Sequence, residues 1–293
     1  MDSQKKFLIK NIKKHKVLIN TVPHCGTHLV ASILNTIGYE QATYKKFGLF
    51  KKKVGLNWRL SESVLNFRPE KFDNSLHVSV ASPKLVRFKI VKKLLDKVDD
   101  GEYALSHIPF NKNFSDFLLN NGWKGFYIIR DPRDMCISML RHIENRPNHF
   151  GFRYLFKEIK SKSDRLEAIV KGFVNEKKRY FVGINKMYSS MLEWRNNSNF
   201  VFLKYEELVG KNGNGETFSQ LKLIHKIFKN LEYNPKDLNN KLLEFVGNES
   251  YGKSGTFRKG KIGSWKDNFN EKDVIIFKKY ANELLISLGY EKE

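Results

Sequence analysis

Val17-Leu18-Ile19-Asn20-Thr21-Val22-Pro23-His24-Cys25-Gly26-Thr27-His28-Leu29 decides the fold. Val17 to Val22 is a short run rich in β-branched residues, the pattern of a parallel strand buried on both faces. Gly26 allows a tight turn, and helix-like sequence follows. A strand, a glycine turn and a helix N-terminus together present several backbone N–H groups to an anion. Thr27 and His28 add side-chain donors. A plain strand-to-helix turn is the alternative reading of the same residues. A nucleoside triphosphatase loop of the Walker type needs a Gly-Lys pair, which this loop lacks.

Working outward, Gly125–Ile129 and Asn199–Leu203 read as further buried strands, and Glu102–His107 as a fourth. Asp131-Pro132-Arg133-Asp134 is a helix start, with Asp at N-cap, Pro at N1 and an acid at N3. Leu85, Phe88, Val91, Leu95 and Val98 recur at helical spacing. So do Ile276, Tyr280, Leu284 and Leu288, with Asn270 as their cap. Strands alternating with helices predict an α/β fold, a central parallel sheet flanked by helices, with ligands at the carboxyl ends of the strands. Between Tyr39 and Asn74 the aromatics Phe47, Phe50, Trp58, Phe67 and Phe72 show no clear period. They either line a pocket or pack as a surface excursion.

The 293 residues suit one α/β domain, 1–293, with no linker or repeat to divide it. The formal net charge of +22 implies either an anionic partner or a lysine-rich composition spread over the chain. Two cysteines are too few for a disulfide framework and suit a reducing compartment. Neither a signal peptide nor a membrane span is visible, so a soluble cytoplasmic protein without an anchor is expected.

Three more segments carry chemistry. Arg130 stands at a strand end and Ser138 two turns into the next helix, so the pair could grip one phosphate, or Arg130 could pair with Asp134. His107, in Ser106-His107-Ile108-Pro109, could act as a general base at a strand end or be structural. The run from Thr256 to Lys266, TFRKGKIGSWK, sets Arg258, Lys259 and Gly260 in a loop suited to phosphate oxygens. Cys25 has no His-Asp partnership that would make it a nucleophile. The eight histidines are scattered without metal-ligand spacing.

Taken in order, PHCGTHL at 23–29, SHIP at 106–109, IIRDPRD through Ser138, LKYEEL at 203–208 and FRKGKIGSWKDNF at 257–269 resemble the cytosolic sulfotransferase family over nearly the whole chain. The resemblance implies a P-loop-like α/β domain that binds 3′-phosphoadenosine 5′-phosphosulfate (PAPS), needs no metal, and passes its sulfuryl group to a hydroxyl or amine of a small molecule. Carried over by position, Cys25, Gly26, Thr27 and His28 would cradle the 5′-phosphosulfate. Arg130, Ser138, Arg258, Lys259 and Gly260 would hold the 3′-phosphate. Tyr205 and, through Ser250-Tyr251, Tyr251 would lie near the adenine, with Trp265 and Lys266 supporting the last loop. His107 falls on the catalytic base.

The chain departs from that pattern in four places. His24 replaces the loop lysine that stabilises the leaving group; it can donate a hydrogen bond but is cationic only if its pKa is raised. Leu29 stands for the adenine-stacking tryptophan, and Leu105 for a lysine before the base. The family's C-terminal dimer motif is not met, which leaves the oligomeric state open. A 3′-phosphonucleotide- or RNA-binding protein that has lost catalysis is the rival reading, with nucleic acid the less favoured partner.

Overall fold

The computed structural model describes residues 14–46, 50–53, 55–56, 74–234, 238–252 and 260–292. Its centre is a parallel sheet built from β1 (Val17–Thr21), β2 (Glu40–Gln41), β3 (Gly55–Leu56), β4 (Glu102–Ser106), β5 (Lys124–Ile129) and β6 (Phe200–Lys204), in the order β6-β5-β1-β4-β2, with β3 also on the outer edge of β4. β2 pairs with the start of β4 (Gln41 opposite Tyr103) and β3 with its end (Leu56 opposite Ser106), so the chain leaves this edge between them. The excursion is the hairpin Thr43–Lys46/Phe50–Lys53. Phe47, Trp58, Phe67 and Phe72 lie outside the described residues.

Helices cover both faces. α1 (Thr27–Thr36), α8 (Thr217–Asn230) and α9 (Asn240–Ser250) pack on one side. α2 (Phe88–Leu95), α3 (Lys112–Asn120), α4 (Pro132–Glu144), α5 (Lys162–Lys171), α6 (Ile184–Leu192) and α10 (Glu271–Ser287) pack on the other. The short α7 (Tyr205–Leu208) follows β6 directly. Strand alternation divides the core: Val17 and Ile19 face the first layer and Leu18 the second, all three fully buried.

The helix signals act as their chemistry dictates. The Asp131 carboxylate accepts from the Arg133 N–H, with Pro132 in the first turn. Asn270 and Asp273 form a reciprocal capping box at α10. One expectation is corrected. Leu85 is not helical, because Lys84–Arg87 pairs antiparallel with Ser75–Val78, and α2 begins only at Phe88.

Candidate active site

Four strand ends converge. Thr21 of β1 leads into the glycine turn, Ser106 of β4 into His107, Ile129 of β5 into Arg130, and Lys204 of β6 into Tyr205. Parallel strands put these ends on one edge of the sheet, where backbone and side-chain donors can meet one ligand.

In the turn after β1, His24 takes a positive φ of 64° and Gly26 one of 107°. Glycine is required at 26 for a second reason: a Cβ there would lie 2.7 Å from Cδ2 of the Tyr205 ring. The Leu29 and Val30 N–H groups both bond to the Gly26 carbonyl, and no side chain caps the start of α1. That uncapped N-terminus carries the positive end of the helix dipole. The Cys25 thiol is turned away and fully buried, 3.4 Å from Tyr188 Oη, and burial pushes its pKa up to about 12. It packs behind the turn and offers no nucleophile. The Thr27 hydroxyl is likewise directed inward, 2.6 Å from that of Thr21.

His107 is held in one tautomer. Its Nδ1 lies 2.7 Å from the Thr21 carbonyl, which can only accept, so Nδ1 carries the proton and Nε2 keeps a lone pair. The Thr21 hydroxyl is also 3.2 Å from Nδ1. Burial lowers the imidazole to about 4, His28 adding to the drop and the bond to Thr21 opposing it. Asn20 fixes the backbone that follows: its Oδ1 accepts from Ser106 Oγ and the Ile108 N–H, both at 2.8 Å, and its Nδ2 donates to the Ile108 carbonyl. Trp194 Nε1 donates to the same carbonyl at 2.9 Å. Neither residue announces itself in the sequence, because their partners are remote.

Arg130 is buried with its guanidinium 4.4 Å above the Tyr205 ring. Nη2 donates to the Lys261 carbonyl at 2.9 Å and lies 3.5 Å from Asp134, while Nε is buried with no partner among the described residues. A buried guanidinium N–H without an acceptor costs desolvation energy, so it marks a place built for a ligand oxygen. Tyr205 donates to the Gly260 carbonyl at 2.7 Å. It therefore joins the glycine turn, Arg130 and the basic loop through a single ring. Burial, opposed by Arg130 and reinforced by Tyr251, pushes its phenol up to about 12, which places Tyr251 in the same neighbourhood. Arg258 and Lys259 lie outside the described residues; Gly260 is positioned.

The rest of the basic loop is clamped by Asp134, whose sequence position marks it as a helix-start acid and a partner for Arg130. Asp134, whose side chain is fully buried, accepts from the Gly263 N–H through Oδ2 and the Trp265 N–H through Oδ1, both at 2.8 Å. Arg133 lies 4.0 Å over the Trp265 ring, pairs with Asp131, and donates to the Tyr290 carbonyl. Glu206 accepts from the Asp131 N–H and from Tyr290 Oη. Only the i, i+4 spacing of Arg130 and Asp134 hinted at this.

Ser138 and His24 meet, Oγ to Nδ1 at 3.3 Å, and the His24 ring stands edge-on to His142 at 4.7 Å. Burial drives the His24 pKa well below its ordinary value, and His142, His107, Arg130 and Arg146 all push the same way. A cationic His24 is thus not what the ligand-free protein holds: water that could solvate a charge is excluded, and the guanidinium groups of Arg130 and Arg146 oppose it.

The sulfotransferase domain profile matches residues 14–289. The chain belongs to the sulfotransferase family. Cytosolic sulfotransferase 16 of Arabidopsis thaliana is 28% identical to it over a 196-residue alignment that covers 58% of this chain and 53% of that relative. The match thus spans about half the length of the curated relative. Among solved structures, mouse sulfotransferase SULT7A1 complexed with PAP (adenosine 3′,5′-bisphosphate) is similar, with a TM-score of 0.56 and 16% identity, covering 97% of this chain and 90% of that one. A retinol dehydratase in complex with retinol and PAP gives a TM-score of 0.53 at 15% identity, covering 94% of this chain and 82% of that one. At such identities the likeness is one of fold. Among the described residues no helix is long and apolar enough to cross a membrane, and no group of His, Cys, Asp and Glu could hold a metal ion.

The histidines make the stability of this chain pH-dependent. His24, His107 and His149 are all depressed, burial being the largest cause in each. As pH falls through the ordinary histidine pKa, the unfolded chain takes up protons that the folded chain refuses. Stability is therefore present above about pH 6.5 and declines toward the depressed values. The urea midpoint is expected to be clearly lower at about pH 5 than at about pH 7.5. An unchanged midpoint would contradict the neutral burial of these rings.

Proposed function

We propose that residues 1–293 form one PAPS-dependent sulfotransferase domain that moves a sulfuryl group to a hydroxyl or amine of a small molecule, with His107 as general base. The observation that carries this reading is the buried Nε of Arg130, unpartnered among the described residues, beside the N-terminus of α1, which no described side chain caps: two anion sites, one ring apart, bridged by Tyr205. The PAP bound to the mouse relative and the retinol bound to the dehydratase support a nucleotide donor and a small acceptor. Two free, buried cysteines suit the cytoplasm.

In this reading Cys25, Gly26, Thr27 and His28 shape the turn for the 5′-phosphosulfate, whose polarised sulfuryl group supplies the chemistry. Arg130, Ser138 and Gly260, with Arg258 and Lys259, take the 3′-phosphate, and Tyr205 and Tyr251 lie against the base. His107 Nε2 accepts the acceptor's proton as its oxygen or nitrogen bonds to sulfur. The bond from sulfur to the 5′-phosphate oxygen breaks in the same step. His24 substitutes for the family lysine as a neutral donor: in the tautomer that carries its proton on Nε2, it donates to the leaving oxygen.

The test is calorimetric binding of PAP beside 5′-AMP and ATP at matched ionic strength. PAP should bind far more tightly than 5′-AMP. Arg130→Ala should remove about 2–5 kcal/mol of PAP binding and little of AMP binding. No preference over AMP would sink the donor assignment. Tight PAP binding without turnover of any acceptor would favour a 3′-phosphonucleotide-binding protein that has lost catalysis, and steep salt-dependent RNA affinity would favour RNA as its ligand.

A further inference from the structure

Beyond Ser138 the same side of α4 continues with residues the donor site does not use. His142 follows Ser138 by one turn, and Arg146 follows His142 by four residues, just past the end of the helix. Residues four apart on a helix are neighbours, and eight residues carry Arg146 about 12 Å along the axis from Ser138. Arg146 is exposed, yet its Nη1 is turned onto the His142 ring, which in turn stands 4.7 Å from His24. His149 closes the group, 5.8 Å from His142 and stacked on Phe150. The aromatic stack of Phe150, Phe173 and Phe181 backs it.

This group borders the place where transfer would occur. The Val80 N–H donates to the His107 carbonyl and the Val182 N–H to the Ala81 carbonyl, so the strand carrying Phe181 is tied to the backbone at His107. Arg146 brings a permanent positive charge to this group. Among the described residues Arg146 makes no salt bridge, and after burial its guanidinium and that of Arg130 are among the groups that lower the His24 pKa. An ordinary solvated arginine extends into water; this one folds back over a ring that adjoins His24.

We infer that the acceptor is itself an anion, its carboxylate, sulfate or phosphate held by Arg146 and His142 while its hydroxyl or amine reaches His107. Arg146 lies too far along the helix from Ser138 to share the 3′-phosphate. This inference rests on the sulfotransferase reading above, and PAP affinity separates the two.

The experiment uses three phenols of one shape: 4-hydroxyphenylacetate, the neutral 4-hydroxyphenylethanol, and tyramine. Each is titrated into the full chain saturated with PAP, so that a dead-end complex reports binding without turnover, and each is also assayed with PAPS. The acid should bind about tenfold more tightly than the alcohol, and the amine most weakly. Arg146→Glu should reverse acid and amine by a similar factor, and Arg146→Gln should level them, with PAP affinity unchanged in both. Equal affinities in the native protein, no binding of any of the three, or an order that Arg146→Glu leaves intact would overturn the anionic acceptor. Loss of PAP affinity in the Arg146 variants would also overturn it by assigning this arginine to the donor. Failure of the native protein to bind PAP at all would remove the sulfotransferase reading instead, whatever the order of the phenols.

Discussion

His107→Ala is expected to lower sulfuryl transfer by about 10²–10⁴-fold, the usual contribution of a positioned general base, while leaving the affinity for PAP unchanged. The reasoning is geometric. The Thr21 carbonyl fixes the proton on Nδ1, so the only ring atom able to accept one is Nε2. With its pKa lowered to about 4 the ring stays neutral through the range where an enzyme is assayed. No protonation of His107 should therefore inhibit the free enzyme between about pH 6 and pH 8. The weak basicity that follows from burial is a cost, and an acceptor or donor carrying negative charge beside the ring offsets it by favouring the imidazolium that forms. His107→Gln, which can still donate to Thr21, should be as inactive as the alanine variant and better folded. Transfer at the native rate in either variant would return His107 to a structural part.

The second large effect is at Asp134. Removing its carboxylate leaves the Gly263 and Trp265 N–H groups without their acceptor and takes away the acid beside buried Arg130. Breaking a buried pair at one end typically costs about 3–5 kcal/mol, so Asp134→Ala should unfold at markedly lower urea. PAP affinity should fall with it, because the loop holding Gly260 and the Lys261 carbonyl is released from Arg130. Asp134→Asn keeps one oxygen for one of the two N–H groups and should fall between. Should the alanine variant fail to accumulate folded, the asparagine variant carries the test. A native midpoint and native PAP affinity in Asp134→Asn would show that the clamp matters little.

How much of this was legible follows from where the partners lie. The strands at 17, 102, 125 and 200 and the caps at Asp131 and Asn270 are local signals, and each is realised within a residue or two. Leu85 was misplaced because helical spacing over five apolar residues cannot see the strand Ser75–Val78 that captures Lys84–Arg87. The loop-facing role of Asp134 was hidden for the same reason: its acceptor atoms serve residues 129 and 131 positions away. Asn20 stands in a run of apolar residues and bonds 88 positions on, so nothing beside it in the chain explains it. The row Ser138, His142, Arg146 could have been read, since its spacing is four, but only its contact with His24 gives the row a meaning.

The ties among Arg133, Glu206 and Tyr290 have a consequence for how the molecule is made. Asp131, Arg133 and Asp134 leave the ribosome well before their partners Gly263, Trp265, Tyr290 and Glu291, which follow at separations of 129 to 158 residues. Chains are synthesised at roughly 5–20 residues per second, so the two buried guanidinium groups wait several seconds with incomplete partners. During that interval the nascent sheet can assemble from β1, β4 and β5, but the nucleotide pocket cannot close. Ligand capture is thus deferred until α10 and the residues just after it have emerged and docked, sealing the polar seam.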